Sequence, residues 1–484
     1  MEHRRVLPAA PDRDLGAYRA RGGGRGLDAA RAAGADAVLG VLADAGLRGR
    51  GGAGFPTARK WAAVAANTSA ELPTTVVVNG AEGEPGTAKD RAILLANPYA
   101  VLEGAAIAGA VLAADRVIVA VKAAFTDEVA RLHAAAEEVQ AAGWFEGAAL
   151  HVVEGPSAYL FGEETALLEV IEGRPPFPRL APPFRQGADS LTGDDGWAGD
   201  TVFAEGGALT AAPPALVNNV ETFANVPAIV AEGSDWFRSV GTDASPGSMV
   251  FTVSGATEVA GVAELPLGLP VAEVLERVGG GPRRGRAWSF LLSGVSNPLL
   301  PVQRFDAPAS FEGLAGAGSG LGSAGFVVFD ETTHPLAVAQ GVSRFLAVES
   351  CGQCTPCKQD GVAIAGALAE LLGADPRSEQ LDEVHRRVAT VADGARCALG
   401  RQHEAVVGSL LAAFPHLAEA RVEPGFDATP VPPVLVAPIA RIVDGVAELD
   451  RRQADKQPDW THDAADSGQA PADRYPRTVP LPSP

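Results

Sequence analysis

The chain holds four cysteines, and their placement constrains it more than any other feature. Three fall in the run ESCGQCTPCKQDG, at Cys351, Cys354 and Cys357. The fourth is Cys397, in ARCALG, and none is left over. Cys-x-x-Cys-x-x-Cys with one distant cysteine is a ligand pattern of a [4Fe–4S] cluster, in which each iron takes one thiolate. One tight loop supplies three ligands to one side of the cube, and the fourth closes it from elsewhere. A structural zinc site also uses four thiolates, but typically from two separated Cys-x-x-Cys pairs. Disulfides suit small secreted chains, and this one has 484 residues. The spacing therefore favours a cluster over zinc or disulfides. Such a cluster moves one electron at a time, which points to electron transfer.

That length predicts about two to four domains. With 47% hydrophobic residues there is material for real cores. The net charge of −20 argues against a nucleic-acid or anionic-membrane surface, and otherwise serves solubility. No apolar run is long enough to span a bilayer. The N-terminal MEHRRVLPAAPDRDLG lacks the apolar core of a signal peptide. Thiolate ligands without an export signal point to the cytoplasm, with no direct membrane insertion.

The first half alternates. DAVLGVLADAG (36–46) has helical spacing, and TVVVN (75–79), RVIVAV (116–121) and LHVV (150–153) are short β-branched runs. Ala-rich stretches of helical period, 91–114 and 126–142, lie between them. Apolar strands separated by helices predict an α/β fold with a parallel sheet covered on both faces. Residues 185–212 are Gly- and Asp-rich without periodicity and predict a loop or insertion. From 247 to 331, MVFTVSG, VAELPLG and SFLLSG predict strands and VAEVLERVG a helix, a small α+β module. Helical patterns follow at 335–349, 361–373, 381–391 and 403–414, with Cys397 at a turn. They predict four helices carrying the cluster at one end. From 425 the composition predicts a mostly disordered tail.

A second cluster of signals lies upstream. GLRGRGGAGFPTARKW (46–61) formally contains G-x-G-x-x-G at Gly49, Gly51 and Gly54, but follows a helical segment, not a strand. Its bare backbone N–H groups, with Arg48, Arg50, Arg59 and Lys60, suit phosphate, although an ordinary glycine-rich turn explains the glycines equally well. VNGAEGEPGTAKDR (78–91) continues a strand, and polar residues at a strand's carboxyl end suit a ligand crevice. The pairs Glu163–Glu164 and Asn218–Asn219 are singly helix caps, but together with the glycine loops they suggest a sizeable polar ligand.

Five motifs in order carry a family resemblance: GRGGAGFPT, N-x-x-E-x-EPGT-x-KDR, GEETALLEVIEG with its PPF, LVNNVETFANVP, and ESCGQCTPC with CALG. Over residues 30–420 the chain resembles the flavin-carrying, NADH-oxidising subunit (the F-type or 51 kDa-type subunit) of respiratory complex I. It also resembles the related diaphorase subunits of NAD-linked hydrogenases and formate dehydrogenases. The resemblance implies a Rossmann-like FMN- and NADH-binding domain (1–235), a β-grasp domain (236–331), a four-helix [4Fe–4S] domain (332–424) and a tail (425–484). It implies that Gly49, Arg50, Gly51, Gly52, Gly54, Phe55 and Lys60 line a nucleotide pocket. Asn79, Glu82, Glu84, Tyr159, Gly162, Glu163, Glu164, Val217, Asn218 and Asn219 would hold FMN and nicotinamide, with Glu84 and Glu164 positioning hydride transfer. Phe184 would stack on the adenine. Cys351, Cys354, Cys357 and Cys397 would ligate the cluster. No side chain need act as acid or base, because the flavin carries the chemistry.

The chain departs from the family pattern at Ala81, where an acidic residue is usual, at Gly83 for serine, and at Ala63 for an aromatic. These changes bear on NADH affinity. With no further cysteines, electrons must pass to another protein, and the resemblance implies a thioredoxin-like [2Fe–2S] subunit and a larger iron–sulfur subunit as neighbours. It implies an NADH:acceptor oxidoreductase. The alternatives are a diaphorase module of a soluble dehydrogenase or hydrogenase, and a partner-binding iron–sulfur subunit without NADH activity.

Overall fold

Val76, Val78, Val117, Val119, Val121 and Leu216 point into one core, and Val77, Ile118, Ala120, Ala215 and Val217 into another. This strict alternation with both faces apolar is what a strand buried on two sides requires. The computed structural model, which describes residues 5–69, 72–179, 202–203, 209–210, 213–426 and 428–458, builds these strands into one parallel sheet. Its four strands run in the order Ala149–Gly155, Arg116–Lys122, Thr75–Gly80, Ala215–Asn219. The helices Pro98–Val111 and Val220–Glu232 cover one face. Pro98–Val111 is buried almost all round and carries glycine at its crossing with the second helix. A Cβ at Gly104 would lie 2.0 Å from the Phe223 carbonyl oxygen, so only glycine permits this approach. The helix Glu164–Ile171 covers the other face.

A five-stranded mixed sheet follows, in the order Leu300–Pro301, Trp288–Ser293, Gly325–Asp330, Ser248–Gly255, Gly261–Pro266. The amphipathic helix Val271–Gly279 packs across it through Val271, Val274, Leu275 and Val278. This is the arrangement expected of a β-grasp module. Four longer helices then share one core: Pro335–Glu349, Thr355–Leu371, Ser378–Val388 and Leu399–Ala413. The second begins earlier than the expected 361, because Pro356 fits its first turn, where the missing N–H costs nothing. Cys354 is consequently its N-cap and Cys357 lies in that first turn.

The expectation of a mostly disordered tail from 425 is corrected for residues 428–458. Strands Ile439–Val443 and Val446–Leu449 form a hairpin, followed by a 3₁₀ turn at Arg451–Ala454. Asp444 and Gly445 both have positive φ, the Asp-Gly signature of a type I′ turn. The proline-rich composition concealed anchors: Val434 and Val436 pack on the helical core, and Ile439 is buried. Arg91 donates to the Ile439 and Ala440 carbonyls at 2.7 Å each. The predicted 185–212 loop lies mostly outside the described residues; within it, Val202–Phe203 and Leu209–Thr210 pair as short strands.

Candidate functional site

The sheet runs outward from Thr75–Gly80 through Arg116–Lys122 to Ala149–Gly155, and the chain then returns to add Ala215–Asn219 on the other side. The reversal makes a crevice at the carboxyl ends of Thr75–Gly80 and Ala215–Asn219, where open α/β sheets bind ligands. Asn79 and Asn219 are register partners there. Asn79 donates to the Gly162 carbonyl at 2.8 Å and accepts from Ala81 N at 3.1 Å, fixing the loop that follows. Asn219 caps its helix by accepting from Glu221 N, accepts from Lys89 Nζ at 3.0 Å, and donates to Asp90 at 2.7 Å.

A cavity of roughly 500 Å³ opens at this edge, within the range of small-molecule sites. The sequence candidates Gly51, Gly52, Asn79, Glu82, Glu84, Tyr159, Gly162, Glu163 and Asn219 line it. So do Ala81 and Gly83, two of the three departures from the family pattern. Thr87, Asp90, Ser296, Asn297, Ser323, Arg401 and Gln402 also line it. None of these was a sequence candidate. Ser296 and Asn297 follow one strand of the five-stranded sheet, Ser323 precedes another, and Arg401 and Gln402 lie on the last long helix.

The cavity's carboxylates are already engaged. Glu84 accepts from Tyr159 Oη at 2.6 Å, from Val295 N at 2.7 Å and from the Ser296 hydroxyl. Burial pushes its carboxyl up, opposed by those hydrogen bonds. Glu82 accepts from Asp90 N at 3.0 Å and Arg91 Nε at 3.2 Å; burial and nearby Asp90 raise it. Glu163 caps the helix Glu164–Ile171, accepting from Ala166 N at 2.8 Å and the Thr165 hydroxyl at 2.6 Å. Burial raises its carboxyl too. Lys89, fully buried, bonds Asp90 at 2.7 Å and Glu221 at 3.0 Å, and these acids hold its amine above the ordinary lysine range despite burial.

Other sequence candidates stand behind or beside the cavity. Arg50 is buried, and its guanidinium donates to the Pro246 and Ser248 carbonyls. Gly49 N donates to the Phe55 carbonyl, closing the glycine-rich loop, in which Gly54 has positive φ. Phe55 is 49% exposed. Lys60 and Glu164 form an ion pair at 2.8 Å, and Glu164 Oε1 is buried without a partner among the described residues. Val217 belongs to the sheet core, and Asn218 is buried beside it. Phe184 lies outside the described residues.

A smaller cavity adjoins the first. Cys351, Cys354, Cys357 and Cys397 all line it, together with Ser350, Ala395, Arg396 and Gly400. Leu160, Cys397 and Leu399 line both cavities and form a common wall. Gln353 Nε2 lies 3.4 Å from Cys351 Sγ, Arg396 N 3.4 Å from Cys354 Sγ, and Ser350 Oγ 3.5 Å from Cys357 Sγ. Such donors orient thiolate ligands and tune what they hold. Burial pushes the Cys357 thiol up to about 11 and raises Cys351 and Cys397. Deprotonating these thiols needs a compensating cationic centre, which metal ligation supplies. Among the described residues no group of three or more His, Cys, Asp or Glu is placed to hold a single metal ion. Four cysteines lining one cavity, three of them from a single short segment, are the donor set a [4Fe–4S] cluster takes.

The crevice at the parallel sheet's switch point and the four-cysteine pocket thus meet at Leu160, Cys397 and Leu399. Two family descriptions match: "Nuo51 FMN-binding domain" over residues 42–228 and "NADH-ubiquinone oxidoreductase-F iron-sulfur binding region" over 337–421. The F-type subunit of the NADH-quinone oxidoreductase of Streptomyces coelicolor is 36% identical over 408 residues, spanning 82% of this chain and 86% of that protein. An F-type subunit of the NADH-quinone oxidoreductase of Rhizobium meliloti is 35% identical over 396 residues, spanning 80% of this chain and 89% of that protein. Among solved structures, an NAD⁺-reducing [NiFe]-hydrogenase in the H₂-reduced state matches with TM-score 0.69 and 32% identity. That match covers 80% of this chain and 63% of the hydrogenase chain, so this chain spans less than two thirds of it. The chain belongs to the family of F-type NADH-quinone oxidoreductase subunits. It is an NADH oxidoreductase subunit with an FMN-binding domain and a [4Fe–4S]-binding region, and works within a multi-subunit assembly.

Proposed function

We propose that the 500 Å³ cavity holds FMN with the nicotinamide of NADH, and that electrons leave through the wall it shares with the cysteine pocket. The observation that carries this is Cys397, which lines both cavities. When bound, FMN accepts hydride from NADH and the cluster takes electrons one at a time. The protein's own contribution is position. Gly51 and Gly52 offer a wall without side chains, continued by the turn that Gly49 and Gly54 close and Phe55 flanks. Asn79, Glu82, Glu84, Tyr159, Gly162, Glu163 and Asn219 supply the polar contacts, each held by a partner of its own. Lys60 holds Glu164, which keeps one oxygen free for the substrate. Arg50, Val217 and Asn218 support the wall from behind. Cys351, Cys354, Cys357 and Cys397 ligate the cluster.

The electrons pass on to a thioredoxin-like [2Fe–2S] subunit and a larger iron–sulfur subunit, because every cysteine here is used by one centre. No single described helix is long and apolar enough to cross a membrane. The subunit works in the cytoplasm, reaching the inner membrane face through partners in a complex I assembly. The likeness to an NAD⁺-reducing hydrogenase supports a second assembly, a soluble diaphorase module. Co-purification distinguishes them: membrane subunits favour the first, a nickel or molybdenum enzyme the second. The activity test is an anaerobic spectrum of the purified chain. NADH should bleach the bound flavin, and acid should release it as FMN. Released FAD, or a bound flavin that NADH leaves oxidised, would refute the assignment.

A further inference from the structure

We infer that Lys122 is an electrostatic positioning residue for the flavin cavity: its ammonium, held behind the wall at Gly83, raises the reduction potential of the flavin bound there. Lys122 ends the strand Arg116–Lys122 and is 3% exposed. Gly83 is part of the cavity wall. A Cβ at Gly83 would lie 2.6 Å from Lys122 Nζ and 3.6 Å from the Tyr159 Cα. The amine therefore occupies the space a side chain would take, pressed against the loop that lines the cavity. Gly83 lines the cavity and Lys122 does not, so the amine stands behind that glycine.

The charges that act on Lys122 come from four neighbouring parts of the chain. They are Glu82 from the cavity loop, Arg91 from the helix Lys89–Ala96, Glu349 from the helix Pro335–Glu349, and Lys456 and Asp450 from the C-terminal segment. The acids are matched. Glu82 pairs with Arg91 at 3.2 Å, Glu349 with Lys456 at 2.7 Å, and Asp450 with Arg452 at 2.6 Å. Lys122 itself makes no salt bridge or side-chain hydrogen bond among the described residues; the Phe125 ring lies 6.0 Å from its Nζ. Each of these three acids thus has a cation of its own, and Lys122 is left as a buried cation without an ion-pair partner among the described residues. Burial lowers this amine to about 8, with Glu349 opposing, so at neutral pH it is charged. A reduced flavin carries more electron density than an oxidised one, and a nearby cation in a poorly screened site favours the reduced form.

This inference rests on flavin occupying the cavity, so the test reads flavin content and flavin potential separately. In the FMN-loaded wild type, Lys122→Met and Lys122→Arg proteins, the flavin midpoint potential is measured by anaerobic spectroelectrochemistry across a pH range spanning the lysine's titration. Lys122→Met should shift the potential to more negative values at neutral pH. The gap from wild type should close as pH rises through about 8, where the lysine loses its proton. Lys122→Arg should match wild type at neutral pH and stay above it at higher pH, because a guanidinium keeps its charge. A Lys122→Met protein with full flavin and the wild-type potential would overturn the proposal, as would a shift that is the same at every pH. Should Lys122→Met fail to retain flavin, wild type and Lys122→Arg decide: coincident potentials over the whole range overturn it, and divergence at high pH supports it. Absence of FMN from the wild type would instead overturn the cavity assignment, and this inference with it.

Discussion

The cysteine pocket takes its walls from residues 350–357 and 395–400 plus Leu160, whereas the larger cavity beside it, proposed to hold flavin, gathers residues from the glycine-rich loop, the parallel sheet's edge, the five-stranded sheet and the last long helix. The pocket's function is set by four identical side chains that a local spacing announces. The cavity's function is set by unlike polar groups, each held by a different partner. Damage to the pocket should therefore be all-or-none in its cofactor, and damage to the cavity graded. Because Cys397 belongs to both, its replacement separates the two behaviours within one molecule.

Cys397→Ser should have the largest effect. The cluster should be lost, seen as a fall from about four irons per chain, while FMN binding persists. Stoichiometric zinc without iron in the wild type would break the comparison at its base. Acid should act next on the helical region. His403 is buried with Nε2 2.7 Å from Ser343 Oγ, and burial lowers it to about 4, with Asp360 opposing. The unfolded imidazole titrates near 6.5, so its contribution is whole above about pH 6.5 and is lost as pH falls towards 4. The full loss is about 3 kcal/mol. Thermal melts at pH 7 and pH 5 should show a smaller acid-induced drop for His403→Gln than for wild type. Equal drops would contradict a buried neutral histidine.

The cavity's graded response is expected at Glu84. Glu84→Ala leaves the Val295 N–H without its acceptor and the Tyr159 hydroxyl with only Gln402 Oε1 at 3.3 Å, at a cost of about 1–3 kcal/mol. A lower melting temperature and faster FMN loss, with iron content unchanged, would fit. Iron loss in parallel would mean the two regions are not separable. The smallest effect concerns Ala63, which is exposed on the helix Thr57–Ala65, three residues beyond Lys60. An aromatic there adds a stacking face worth about 0.5–1.5 kcal/mol. Ala63→Phe should tighten NADH roughly threefold to tenfold. Unchanged affinity would place the adenine elsewhere.

The same contrast explains what was legible in the sequence. The cysteine spacing and the doubly buried strands could be read directly, since each is a local pattern with one physical cause. Glycine loops, Asn79 and Asn219 were legible because they sit where strands end. Ser296, Asn297, Ser323, Arg401 and Gln402 were not, because only the packing of the five-stranded sheet and the helical region against the first sheet brings them to the cavity. Arg50 looked like a phosphate ligand, but its guanidinium meets backbone carbonyls, a choice that charge alone does not disclose. The C-terminal hairpin carried a local signal in Asp444–Gly445 between valines, outweighed by the proline-rich stretch around it.

The central claim is that electrons enter at the flavin cavity and reach the cluster through the wall at Cys397. Anaerobic stopped-flow mixing with NADH tests it most directly, using the iron-replete chain before and after FMN removal. The account predicts that flavin bleaching precedes cluster reduction in the loaded protein, and that the cluster stays oxidised when FMN is absent and recovers its reduction when FMN is restored. Cluster reduction at the same rate without FMN, or a bleached flavin beside a cluster that never takes an electron, would contradict it.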